Sequence, residues 1–285
     1  MADLELSSSG APALPDGEAL ELLGRAEVVP VGVLTQASNL TLLAELHDGG
    51  EPTGHRAVYK PVSGEQPLRD FPPGTLAGRE AAAYLVSSAA GLDVVPPTVL
   101  RDGPLGPGSV QWWVEQDAAR LADPAGGLVE VLAPHELTES WLPVVSGETE
   151  EGAPVVVAHA DDPALRMMAV LDVVLNNADR KAAHLTRGLD GRLRGFDHGL
   201  CLHTDDKLRT VLWGWAGQSL TGPEEEALAL LDVALAPGGA LTAPLADLLA
   251  EAEVNALRAR VGALLAAGEL PAPPDDRYPL PWPLW

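Results

Sequence analysis

The residues best suited to chemistry lie in two short segments. One is Leu175-Asn176-Asn177-Ala178-Asp179-Arg180-Lys181-Ala182-Ala183-His184 and the other is Gly195-Phe196-Asp197-His198-Gly199. An apolar stretch runs straight into a polar loop rich in Asn, Asp and His, and a second aspartate follows between glycines. Singly, each aspartate has an ordinary explanation, because Asp is common in turns. Together, after a buried helix, they suit phosphoryl transfer. One carboxylate orients the acceptor hydroxyl, and a second, with another ligand, holds Mg²⁺ on nucleotide phosphates. Asp179 takes the first role and Asp197 the second. His184 is the candidate for the extra metal ligand or a phosphate contact.

A second pair lies upstream. Lys60 ends an apolar run, Val58-Tyr59-Lys60-Pro61, and Glu80 follows on the next helix-forming stretch. In phosphoryl-transfer sites such a lysine meets the nucleotide phosphates and a helix glutamate pairs with it. Lysines are very few here, so one at a strand end stands out.

The elements that must position these residues follow from periodicity. Residues 26–34, 40–47 and 55–61 read as strands, with Asp48-Gly49-Gly50 as a hairpin turn between the last two. Residues 74–90, rich in Ala, read as a helix that begins after Pro72-Pro73 and stops at Gly91. Strands at 97–101 and 109–116 complete a first lobe. From about residue 118 the pattern predicts a helical lobe. Asp161-Asp162-Pro163 opens a helix that is apolar nearly all round, and a short strand at 192–196 delivers Asp197. Helices are predicted after Thr221-Gly222-Pro223-Glu224 and as one piece over 242–267. The fold class is therefore α+β, two-lobed. Residues 1–20 form a disordered leader, 21–117 a nucleotide-binding N-lobe, 118–270 a catalytic C-lobe, and 271–285 a Pro-rich tail lying extended on the surface.

Composition narrows the setting. The 285 residues are enough for one large domain or two fused lobes. Lys and Arg number 18 against 41 Asp and Glu, a net charge of −23, which argues against nucleic acid and against stable association with anionic membranes. No long uncharged apolar run predicts a membrane span. The single cysteine, Cys201, permits no disulfide within the chain and fits a reducing, cytoplasmic compartment.

Read in order, Ser38-Asn39, Tyr59-Lys60-Pro61, Gly78-Arg79-Glu80-Ala81-Ala82-Ala83-Tyr84, Val95-Pro96-Pro97-Thr98, Asn177-Ala178-Asp179-Arg180 and Phe196-Asp197-His198-Gly199 resemble a bacterial phosphatidylinositol 3/4-kinase-like protein, related to HipA-type kinases. The resemblance implies a protein-kinase-like fold using ATP and Mg²⁺, with Mn²⁺ as an alternative. It implies that Ser38 and Asn39 cover the phosphates, that Lys60 and Glu80 form the ATP lysine pair, and that Val114 and Glu115 lie near the adenine-reading hinge. It makes Asp179 the catalytic aspartate and Asp197 the metal aspartate. It departs at His184, where these kinases carry a metal-binding Asn. Imidazole is a softer ligand than an amide oxygen, and Asn176 or Asn177 is an alternative oxygen donor. The expected partners are a nucleotide and a protein or small soluble acceptor. A nucleotide-binding pseudokinase and an AMP-transferring regulator are the alternatives.

Overall fold

Strand-forming sequence dominates the first hundred residues, and in the computed structural model, which describes residues 11–35 and 37–285, it forms a five-stranded antiparallel sheet. The strands are β1 (Glu27–Val33), β2 (Leu42–Asp48), β3 (Glu51–Pro61), β4 (Thr98–Gly103) and β5 (Gly106–Trp112), in spatial order β1-β2-β3-β5-β4. Asp48 pairs with Glu51, so Gly49 and Gly50 form a two-residue turn, with φ of 61° and 87°. Few residues besides glycine accept that pair of angles. Along β3 the side chains alternate. Ala57, Tyr59 and Pro61 are buried, and the intervening positions, Lys60 among them, face the other side.

The sheet is preceded by α1 (Asp16–Arg25), with Asp16 and Glu18 in its first turn and Arg25 in its last, as the helix dipole favours. It buries Ala19, Leu22 and Leu23 against the sheet. The expected leader therefore ends before Asp16, because the apolar face of this helix covers the sheet. Residues 1–10, the first half of that leader, lie outside the described residues. Helix α2 (Leu76–Ala89) follows β3. Its small residues allow close approach on most sides. A Cβ on Gly78 would stand 3.1 Å from the Leu248 carbonyl oxygen, so α2 lies directly on the larger lobe.

The region after residue 118 is not mainly helical until residue 163. A five-residue helix α3 (Ala118–Ala122) leads into a three-stranded antiparallel sheet of β6 (Val129–Leu132), β7 (Trp141–Glu148) and β8 (Pro154–Ala160), with β8 in the middle. The run Val155-Val156-Val157 is β-branched, which favours strand over helix, and its ladder bonds go to both neighbours. Helix α4 (Pro163–Leu175) then starts as expected, the Asp162 carboxylate accepting from Ala164 and Leu165 N–H. It ends at Asn176 in the left-handed conformation. The hairpin β9 (Leu185–Arg187) and β10 (Leu193–Gly195) leads to Asp197, and α5 (Gly222–Leu235) starts in a capping box of Thr221 and Glu224.

The single helix expected over 242–267 is two, α6 (Thr242–Ala246) and α7 (Glu251–Ala267). The break brings the Leu248 carbonyl against Gly78, and α7 restarts with the Glu253 carboxylate accepting from Ala250 N–H. Most of the tail is exposed or half-buried, but it is anchored, since Leu280 is buried and Leu284 packs with the larger lobe. The whole is an α+β, two-lobed fold. Among the described residues, no helix is long and apolar enough to cross a membrane.

The β4–β5 hairpin is seated on Tyr59. Its hydroxyl donates to the Gly106 carbonyl at 2.6 Å, and a Cβ on Gly108 would lie 2.5 Å from the Lys60 carbonyl oxygen and 2.6 Å from the Tyr59 ring. Gly108→Ala should push β5 away from β3 at Lys60. The expected loss of stability is about 1–3 kcal/mol, the usual cost of overpacking, measured by urea unfolding. An unchanged midpoint would show that the hairpin yields freely.

Candidate active site

The turn from α4 into the Asp179 loop is built by asparagines. The Asn176 amide donates to the carbonyls of His203 and Asp205 at 3.1 and 2.7 Å, and its Oδ1 accepts from Lys207 N–H at 2.8 Å. Asn177 Oδ1 accepts from Asp179 N–H at 3.0 Å, and its amide donates to Asp172 at 2.9 Å. Both side chains are committed to shaping the loop, each amide oxygen already accepting from a backbone N–H.

Beneath the loop lies an ion pair that the sequence reading passed over. Asp172 and Arg180 have no solvent exposure, and their closest contact is 2.9 Å. Arg180 also donates to the Phe196 carbonyl at 3.1 Å and lies 2.7 Å from His198 Nε2. Because the guanidinium can only donate, His198 Nε2 is the acceptor and its proton sits on Nδ1. Burial, then the Arg180 charge, pushes the His198 pKa far down, so the ring is neutral. Asp172 further accepts from Asn177 and Thr210. Gly195 lets the guanidinium through, since a Cβ there would meet Met168 at 2.5 Å and Arg180 Nη1 at 3.2 Å. The signal was present as a lone carboxylate in a helix whose one other charged residue is Arg166.

Arg180 thus ties the Asp179 loop to the Asp197 loop, and Ala178 N–H adds a bond to the Leu200 carbonyl at 3.0 Å. Asp197 itself has φ 61°, a left-handed geometry uncommon for a residue with a side chain. Its Oδ1 lies 2.8 Å from Lys60 Nζ, which also meets Glu80 Oε1 at 2.5 Å. The other oxygen of Glu80 accepts from His198 N–H at 2.9 Å. Lys60, Glu80 and Asp197, from three separate segments, thus converge. They share a cleft with Asp179, Ser38 and Asn39. Asn39 Oδ1 accepts from Gln66 N–H at 2.7 Å, which fixes that loop over the cleft. Val114 and Glu115 lie outside this part of the cleft. Their carbonyls already accept from Gln116 and Leu189, and the Glu115 carboxylate takes Arg56 with both oxygens.

The charges are strongly perturbed. For Asp197, burial alone would raise the pKa, but the neighbouring Lys60 ammonium and His184 outweigh it and hold the carboxyl well below its usual range. For Lys60, burial is likewise outweighed by Asp197 and Glu80, and its pKa rises. Asp179 is pushed up to about 6 by burial, opposed by Lys181, whose Nζ is 3.3 Å away. His184 is pushed down to about 4 by burial, so it stays neutral across the mildly acid range instead of titrating near 6.5.

A metal can be tested against these donors. Among the described residues, no group of three or more His, Cys, Asp and Glu side chains converges on one point. Mg²⁺ needs fewer protein ligands, because phosphates and waters complete its shell. Asp197 suits it. His184 Nε2 lies 3.4 Å from Asp197 Oδ2, close enough to share an ion, but its buried Nδ1 has no hydrogen-bond partner. Metal-ligating histidines almost always have such a partner. The fit is therefore firm for Asp197 and weaker for His184.

Removing one member of a buried pair leaves the other charge uncompensated. Arg180→Met and Asp172→Leu should each cost about 3–5 kcal/mol in chemical unfolding. The double variant should lose clearly less than the sum. Additive losses would show that the pair is not coupled.

A scan against protein-family models finds no match. Among solved structures, the Helicobacter pylori proinflammatory kinase CtkA is similar, with 13% identity and a TM-score of 0.42, covering 86% of this chain and 93% of that one. Among curated proteins, Protein Rv2133c of Mycobacterium tuberculosis (strain ATCC 25618 / H37Rv) is 48% identical over 265 residues, which are 92% of this chain and 94% of that protein. At that identity over nearly the full length of both, this chain belongs to the family of Protein Rv2133c.

Proposed function

We propose that this protein is an ATP-dependent phosphotransferase that moves the γ-phosphate to a hydroxyl of a protein or small soluble acceptor. The convergence of Lys60, Glu80 and Asp197 beside Asp179 is the observation that carries this reading. Lys60, oriented by Glu80, would bind the phosphates of the nucleotide. Ser38 and Asn39 would cover them, and backbone groups near Val114 and Glu115 would read the base. Asp197, with His184 as a second contact, would hold Mg²⁺ or Mn²⁺, which when bound neutralises charge on the phosphates. Asp179 would orient the acceptor hydroxyl and take its proton. With a pKa near 6 it is ionised at neutral pH yet basic enough for that task. The order of motifs favours the phosphatidylinositol 3/4-kinase-like group, related to HipA-type kinases. The net charge of −23 favours a soluble acceptor over a lipid, and a cytoplasmic setting.

His184 favours a second reading, a nucleotide-binding pseudokinase, because it stands where an Asn ligand is expected and its Nδ1 lacks an acceptor. Transfer of AMP would be a third chemistry. Incubation with labelled ATP, divalent metal and cell extract, followed by mass spectrometry, separates these. Phosphorylation adds about 80 Da, AMP about 329 Da, and a pseudokinase adds nothing.

Lys60→Ala is expected to weaken ATP binding on the order of ten- to a hundred-fold, the loss of a charged hydrogen bond. Asp179→Asn should keep ATP affinity but cut turnover by roughly 10²–10⁴. Wild-type turnover should fall as pH drops through about 6, where Asp179 takes up a proton. The stability sign is opposite. A carboxyl whose pKa is raised by folding destabilises the fold above that pKa, so Asp179→Asn should be the more stable form at pH 7.5 and lose its advantage below pH ~4. Normal turnover in Asp179→Asn would remove the residue from the chemistry.

The metal role of His184 is tested by His184→Asn. An amide oxygen suits Mg²⁺ better than imidazole does, so the variant should keep or raise Mg²⁺-dependent turnover and lower the ratio of Mn²⁺ to Mg²⁺ activity. An unchanged ratio would strike His184 from the metal site.

A further inference from the structure

The tail after α7 is rich in proline, with Pro271, Pro273, Pro274, Pro279, Pro281 and Pro283. Proline has no N–H, so such a segment offers carbonyl acceptors without competing donors, and its restricted φ lowers the entropy lost on docking. The chain uses those carbonyls. Near α7, Leu220 N–H donates to the Gly268 carbonyl at 2.8 Å and Gly217 N–H to that of Leu270 at 2.9 Å. Further on, Arg277 meets Asp206 at 2.8 Å. The Pro279 carbonyl accepts from Thr210 N–H at 3.2 Å and from the Trp213 indole at 3.0 Å. Leu280, 4% exposed, closes a small apolar cluster with Leu208 and Trp213, which meets the main core only through half-buried side chains such as Val145 and Val173. Lastly, the Leu284 carbonyl accepts from Ala182 N–H at 2.8 Å.

The two groups at the far end of this path border the catalytic-type loop on both sides. Ala182 lies three residues after Asp179 and opens the turn that carries His184. It is fully buried, so its N–H would be an orphan donor without Leu284, at a cost of about 1–3 kcal/mol. Thr210 donates to Asp172, and its neighbour Arg209 brackets the loop, accepting from Arg180 N–H at 3.0 Å and donating to the Asn177 carbonyl at 2.8 Å.

We propose that residues 277–285 are a working part of the catalytic centre, a carbonyl strap whose Pro279 and Leu284 hold the Asp179 loop and the segment 206–213 in register. The strap acts through other residues, so its members are positioning residues. The proposal rests on the phosphotransfer reading above. Because the strap is anchored in its own small cluster, loosening it disturbs the loop more than the fold. The Lys60–Glu80 side of the cleft, where ATP would bind, is untouched.

The test uses the full chain carrying Leu280→Asp, with Leu280→Ala as a milder detachment should the first fail to fold and Leu280→Met as the conservative rescue. Amide hydrogen exchange at Ala182 and Thr210 should accelerate on the order of ten-fold or more in the detached variants, while β2 and β3 amides keep their rates. Turnover should fall on the order of ten-fold or more with ATP affinity within about two-fold, and Leu280→Met should recover it. Unchanged exchange at Ala182, or accelerated exchange with unchanged turnover, would overturn the strap. No turnover in the wild type would instead overturn the phosphotransfer reading and the strap's catalytic role with it. The exchange rates would then still decide whether the strap holds the loop.

Discussion

An arginine and an aspartate without solvent exposure can coexist in a protein core only when nearly every polar atom of both is answered. Desolvating each ion costs several kcal/mol, and their attraction offsets this only with good geometry and further hydrogen bonds. Asp172 and Arg180 meet that condition. The carboxylate takes Arg180, Asn177 and Thr210, and the guanidinium takes Asp172, His198 and the Phe196 carbonyl. Each added bond recruits a different segment. One pair therefore fixes α4, the Asp179 loop, the Asp197 loop and the segment around Thr210 with respect to one another. A shift of any of these would leave a buried charge or a buried donor unanswered.

The smaller lobe is tied to this centre through α2. Arg79 is almost fully buried, donates to the Cys201 carbonyl at 2.7 Å and pairs with Glu253 of α7. Its guanidinium also lies over the Phe71 ring at 4.9 Å. One turn of contact thus spans both lobes, with Gly78 against Leu248 on one side and Glu80 on the other accepting from His198 N–H. The glutamate that orients Lys60 belongs to the smaller lobe by sequence. By contact it belongs to the larger one. The sheet, with Lys60 on the cleft-facing side of β3, has a core of its own in Leu22, Leu23, Leu46, Tyr59 and Val110.

How much of this was legible depended on the range of the interaction. The β2–β3 turn, the start of α4 at Asp162-Pro163 and the start of α5 at Thr221 are written in adjacent residues, and they were readable because their physics is local. The juxtaposition of Lys60, Glu80 and Asp197 was reachable through motif order, although 137 positions separate the first and last. The sheet of β6 to β8 was readable in principle from Val155-Val156-Val157, but the expectation of a helical lobe overrode the β-branched signal. The break between α6 and α7 was not readable. It depends on Gly78, far away in sequence, leaving room for the Leu248 carbonyl. The left-handed Asp197 and the fixed tail were hidden for the same reason, since each is held by contacts made only after the chain has folded. His184 shows the limit for charge. Its position marked it for notice, but its neutrality follows from burial, which no spacing reveals.

The electrostatics of the cleft constrain what can enter it. Glu65, Glu80, Asp179 and Asp197 line a cleft whose lining holds one ammonium, Lys60, with Lys181 paired to Asp179 beside it, in a chain that carries −23 overall. Lys60 already has both Glu80 and Asp197 within hydrogen-bond distance, so its charge is already balanced. Under the phosphotransfer reading, phosphates approaching Lys60 would have to displace or share Asp197. Two like charges roughly 5 Å apart repel by about 3 kcal/mol at an effective dielectric constant of about 20. A polyphosphate alone would meet that repulsion several times over. Under the phosphotransfer reading, Asp197 would hold a divalent cation brought in with the phosphates, whose positive charge would offset that repulsion, and Lys60 would be left to the phosphate oxygens. On that reading, the Lys60–Asp197 contact is the resting arrangement, and the acidic character of the cleft favours the metal–nucleotide complex over the bare nucleotide.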